Sequence, residues 1–167
     1  EGPGISAEWI HRNFVGSGEE LSVSTRISKV LQTIGLDFKK PFFLTDKQDL
    51  SFSSELRRED TDAYEEFGLN VSAAIDRKIS RFWTGSLGVA LDLLQVREEG
   101  QQTDNFALVS FPGRMNYDSR DDVLDPHDGY TLRLLASPFI DTIGTSSPFL
   151  KTRATGTAYF GLGKKLA

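Results

Sequence analysis

Apolar and polar residues alternate with period two through almost all of this chain, and helical periodicity is hard to find. Side chains on an extended strand point to opposite faces in turn, so such alternation writes one apolar and one polar face. In "ELSVSTRIS", Leu21, Val23 and Ile27 oppose Ser22, Ser24 and Arg26. In "DLSFSSELRRED", Leu50, Phe52 and Leu56 oppose Ser51, Ser53, Glu55 and Arg57. "FGLNVSAAID" and "WTGSLGVALDLL" repeat the pattern with Leu69, Val71, Leu87, Val89 and Leu91.

Turn signals separate these runs: "NFVGSGEE", "FLTDKQD", "EDTDAYEE", "KISRF", "REEGQQTD", "DDVLDPHDG" and "IDTIGTSSP". With the weaker stretches 4–12, 105–118, 129–139 and 149–161, the reading gives about nine strands. The connections are too short for crossover helices, which makes the order an antiparallel meander and the fold class all-β. The first and last residues, "EGPGISAEW" and "GLGKKLA", read as cuts inside a longer chain, and a further strand is expected to start at the end.

Two architectures write this pattern. A soluble sandwich turns its apolar face inward, whereas a transmembrane β-barrel turns it toward lipid and keeps a polar lumen. The polar face here is rich in Ser, Thr, Gly, Ala and Asn mixed with Arg, Asp and Glu, where a solvent face is usually rich in Lys and Glu. Trp9, Phe14, Phe42, Phe43, Phe82, Trp83, Tyr117, Tyr130, Phe139, Phe149, Tyr159 and Phe160 fall near proposed strand ends. That is where a barrel carries interfacial girdles, although strand-end packing accounts for aromatics too. The balance favours part of a transmembrane barrel.

Composition removes several function classes. Net charge is −5, and no segment gathers Lys and Arg as nucleic-acid binding requires. There is no cysteine, and the only histidines, His11 and His127, are far apart. Soft-metal sites, thiol catalysis and disulfides find no support.

The densest charge is in "YDSRDDVLDPHDGYTLRL", Tyr117 to Leu134. Asp125 suits the first position of a type I turn, Pro126 pre-sets φ at the second, and Gly129 tolerates a positive φ. Arg114, Asn116, Asp118 and Arg120 share a face that would line the lumen, with Arg133 alongside. Calcium is the sharper rival, yet the spacing is not that of an EF-hand loop and Arg120 sits among the ligands. A catalytic pair such as Asp118 with Asp121 would stay solvated and ionised on a turn. No cofactor and no catalytic residue is expected. His11 reads as a polar strand-end residue, "GTSSP" and "GSGEE" as turns, and Arg57–Asp60 as a hydrated strand end or extracellular loop.

Four stretches carry a family likeness. "GISAEWIHRNFVGSGEELSVS" resembles an early barrel hairpin of the Omp85 superfamily, the bacterial surface antigen (D15) group, matching at Arg12, Asn13, Gly16 and Glu20. "GLDFKKPFFL" and "ELRREDTDAYEEFGLNVSAAI" resemble the following strands of TamA, the autotransporter assembly factor, and its relatives. The aspartate-rich stretch is similar to that superfamily's Asp-x-Arg-Asp…Pro…Gly turn through Asp118, Arg120, Asp121, Pro126 and Gly129.

The resemblance implies a sixteen-stranded barrel preceded by POTRA domains, of which residues 1–167 would be a partial barrel domain holding the second to tenth strands. POTRA domains and closing strands would lie outside it. It further implies a bacterial outer-membrane location, a role in inserting or secreting β-barrel and autotransporter proteins, and no enzymatic activity. Expected partners are the lipid bilayer, nascent outer-membrane or autotransporter polypeptides, and an inner-membrane or periplasmic accessory protein. An isolated piece would have two unpaired edges and is expected to need detergent or to pair edge-to-edge with its copies. The competing functions are a passive outer-membrane channel or adhesin barrel, whose signature would be clustered like charges where the sequence shows mixed signs, and a soluble β-sandwich binding module.

Overall fold

The structure, a computed structural model, describes residues 3–98, 102–144 and 146–161. The further strand expected at the C-terminus, and residues 99–101 and 145 of two expected turns, fall outside these. The elements are β1 (Gly4–Arg12), β2 (Glu20–Ser28), β3 (Leu31–Lys40), β4 (Gln48–Asp60), β5 (Tyr64–Lys78), β6 (Trp83–Glu98), β7 (Asp104–Ser110), β8 (Gly113–Asp118), β9 (Gly129–Asp141) and β10 (Phe149–Tyr159). All belong to one antiparallel sheet, each paired to its neighbour in sequence except around β7 and β8. Among the described residues β1 pairs only with β2, and β10 only with β9, so both ends of the described sheet are free edges.

β7 and β8 occupy one strand position, flanked by β6 and β9 on either side. Leu87 faces Gly113 while Ala90 faces Ser110, and across β9 Gly113 faces Ala136 while Ser110 faces Phe139. Two residues separate each pair on every strand, so the register runs through without a bulge. The interruption is chemical. The Gly88 N–H donates to the Pro112 carbonyl at 2.9 Å and the Phe111 N–H to the Pro138 carbonyl at 3.1 Å. Neither proline has an N–H to return, so two adjacent ladder bonds are missing. The single strand expected over 105–118 is therefore one strand with a gap, and the sheet is nine positions wide.

Register assigns every strand residue to a face. Leu21, Leu36, Phe52, Val71, Val89, Val109, Leu134 and Ala154 share one side. Ser24, Gly35, Ser53, Ser72, Ala90, Ser110 and Arg133 share the other. The apolar face is uncovered: Ile5 is 78 % exposed, Leu87 75 %, Ile27 59 % and Val89 45 %. The buried strand residues of the polar face are small ones, Ser86, Ala90, Ser110 and Ser137. A sandwich would bury the apolar side beneath a second sheet; the described residues form one sheet only. This inverted distribution is that of a lipid-facing barrel wall.

The aromatic residues divide in a way the sequence reading did not anticipate. Trp9, Trp83, Tyr117 and Tyr130 lie on the apolar face, close to the end that carries the 13–19, 41–47, 79–82 and 119–128 turns. Trp83 packs on Tyr117 with ring centroids 4.9 Å apart, and Phe82 joins them at 6.0 Å. Phe139 and Phe149 were expected in a girdle, but they face each other on the polar side, stacked at 4.7 Å. Tyr130 and Phe139 are an odd number of residues apart on one strand, so the pleat sends them to opposite faces.

Candidate functional site

With an apolar face turned outward, chemistry resides on the polar face and in the turns at its rim. The aspartate-rich turn is built from its own carboxylates. Asp121 Oδ1 accepts the N–H groups of His127 and Asp128, both at 3.0 Å. Asp122 Oδ1 accepts those of Leu124 at 2.7 Å and Asp125 at 3.2 Å. Short acidic side chains that bond backbone a few residues on are what fold such a turn. These bonds hold both carboxyls below the usual aspartate range: chiefly the Asp128 and His127 N–H groups for Asp121, and the Leu124 and Asp125 N–H groups for Asp122.

Asp118 and Arg120 form a two-pronged pair, with Arg120 Nε donating to Oδ1 at 2.9 Å and Nη2 to Oδ2 at 2.6 Å. Arg120 Nη1 also donates to the Val123 carbonyl at 3.2 Å. Pro126, half-buried, lies in the tip between the two Asp-bonded segments. Gly129 has φ +110°, and a Cβ there would stand 2.4 Å from the Ser119 carbonyl oxygen. The aspartates thus spend their oxygens on backbone N–H groups and on arginine, an arrangement suited to holding a turn, not to binding a hard cation or to proton transfer.

The first turn is organised by the other matched residues. Asn13 adopts φ 60° and its Oδ1 accepts the Gly18 N–H at 2.8 Å. Gly16 is at φ +98° with open space around it, and Arg12 pairs with Glu20 at 3.4 Å. The residue that closes this turn was not singled out from sequence. Glu19 is 1 % exposed, accepts the Ser17 N–H at 2.9 Å and pairs with Lys40 Nζ at 3.2 Å. The Ser17 N–H, then its own N–H, lower its pKa, with Lys40 adding to them. Lys40 lies 21 positions away in the chain, a separation that no local pattern reveals.

On the opposite rim, the expected Arg57–Asp60 run belongs to β4 and splits between faces. Arg57 pairs with Glu59 and approaches Glu66 Oε1 at 3.8 Å on the polar side, while Arg58 reaches Glu65 at 2.7 Å on the other. Tyr64 Oη donates to Glu59 at 2.9 Å. His11 packs between Trp9 and Phe14, with centroids 5.7 and 5.5 Å away.

Pairing also sorts charges that look mixed along the chain. The polar face of β4–β6 carries Asp49, Glu55, Glu59, Glu66, Asp76 and Asp92 beside Arg57 and Lys78. On β8–β10 it carries Arg114, Arg133, Lys151 and Arg153, with Asp118 held by Arg120 and Asp141, at the end of β9, accepting the Ile143 and Ser146 N–H groups.

A family model described as the Omp85 superfamily domain matches residues 13–167. The chain belongs to the Omp85 superfamily. Among solved structures it is similar to BamA from Haemophilus ducreyi lacking POTRA domains 1–3, at 14 % identity and a TM-score of 0.71, over 82 % of this chain and 31 % of that one. No curated protein matches. The chain therefore spans about a third of the BamA structure it resembles. As an Omp85 domain it is an outer-membrane β-barrel element of a family that works in protein assembly and translocation without enzymatic chemistry. The soluble-sandwich alternative is excluded by this membership together with the uncovered apolar face.

Proposed function

We propose that residues 1–167 form the second to tenth barrel strands of an outer-membrane assembly or translocation factor of the TamA type, in a longer protein whose POTRA domains and remaining strands complete the machine. Its clients would be nascent outer-membrane or autotransporter polypeptides, and an accessory protein would reach it from the periplasmic or inner-membrane side. The observation that carries this reading is an Omp85 sheet whose apolar face is uncovered and whose polar face holds small and charged residues.

Such a wall acts without bond chemistry. Unpaired backbone groups in hydrocarbon cost several kcal/mol each, so a free strand edge in the completed barrel, outside these residues, would lower the barrier to inserting another strand. In the isolated piece the β1 and β10 edges make self-pairing the expected behaviour. The test is reconstitution of the full-length protein in liposomes with an unfolded autotransporter barrel. Faster appearance of folded, protease-protected client than in empty liposomes is expected; equal rates would refute the assembly role.

A further inference from the structure

We propose that Arg114, Arg133 and Arg153 form a binding site for an oxyanion, a carboxylate or phosphate group, on the polar face of β8–β10. Arg114 and Arg153 lie directly opposite Leu135, one from each flanking strand, and Arg133 follows two residues earlier on the same face of β9. At about 4.8 Å between strands and about 3.4 Å per residue, their Cα atoms define a triangle with sides of roughly 8–10 Å. Three long guanidinium arms can converge on one group from those corners. They line a cavity of about 680 Å³ together with the neutral donors Thr84, Asn116 and Thr155, a fourth arginine, Arg81, and one carboxylate, Asp118.

Among the described residues, Asp118 is the one carboxylate lining this cavity, while Arg114 also borders a second cavity beside Asp46, Asp49 and Asp76. None of the cluster's three arginines takes part in an ion pair with a described residue. The carboxylate nearest along this face, Asp118, is gripped at both oxygens by Arg120. Like charges gathered on one face repel, and an oxyanion at the centre turns that repulsion into charge-assisted hydrogen bonds. Guanidinium suits the task because its planar fork matches carboxylate and phosphate oxygens. The carboxylates of β4–β6 repel the same group, which confines it to the basic wall. The site requires only that the polar face be wet; it stands or falls separately from the assembly role.

The test is calorimetric titration of the detergent-solubilised full-length protein at low ionic strength, once with inorganic phosphate and once with a hexaglutamate peptide. Saturable binding is expected, weakened at least tenfold by R133Q and less by R133K. R26Q, which removes a polar-face arginine on β2, should change it less than twofold. Tighter phosphate binding would assign the site to a small anion, tighter hexaglutamate binding to an acidic polypeptide segment, and either upholds it. Failure of the wild-type protein to bind both probes, or an equal loss in R26Q, would overturn it; the wild-type titration decides even if R133Q does not fold.

Discussion

At the scale of single residues, the aspartate-rich turn depends on one glycine and two carboxylates. Gly129 occupies a left-handed conformation pressed against the Ser119 carbonyl. G129A should destabilise the β8–β9 hairpin by about 2–3 kcal/mol, since strain and a backbone clash act together. Faster amide exchange at Ser119 and Asp121, whose N–H groups bond across the turn, would register it. Asp121 and Asp122 have folded-state pKa values below the unfolded value of about 4. Their contribution is therefore present above about pH 4 and is lost as pH falls through the lower folded values. Exchange at His127 and Asp128, corrected for its intrinsic pH dependence, should stay flat from pH 7 to 5 and accelerate below 4. Turn chemistry of this kind was readable in advance at Gly129, because positive φ and Asp-rich composition are local signals. Glu19 was not readable, since only the approach of β2 to β3 brings Lys40 beside it.

At the scale of strands, alternation fixed which residues share a side, and register then joined those sides into continuous faces. The reading of 105–118 as one strand succeeded because the pleat continues through Phe111 and Pro112, even though the hydrogen bonding does not. Phe139 and Phe149 misled because proximity to a strand end says nothing about parity. Charge sorting was hidden for a related reason: most strands alone mix signs, and only pairing order gathers acids on β4–β6 and arginines on β8–β10. At this scale P138A is informative. A restored N–H at position 138 can bond the Phe111 carbonyl and add about 1 kcal/mol of local protection. Exchange at Phe111 should slow about fivefold, while exchange at Leu36, far across the sheet, stays unchanged.

At the scale of the whole molecule, stability comes from lipid around the sheet instead of from a dry interior. Val89 lies mid-strand on β6 and faces outward. V89R in the full-length protein should cost about 2–4 kcal/mol of membrane-folded stability near the bilayer midplane. S22R, on the polar face opposite Asp37, should cost less than about 0.5 kcal/mol. Urea titration of folding into lipid vesicles separates the two, and equal costs would contradict the assignment of faces.

The paired prolines leave that wall a spot with fewer hydrogen bonds. Two rungs are absent side by side at Gly88–Pro112 and Phe111–Pro138, yet no residue slips, so bending there leaves inside and outside unmixed. A sheet weakened at one spot in this way can flex there without exchanging its greasy side for its watery one.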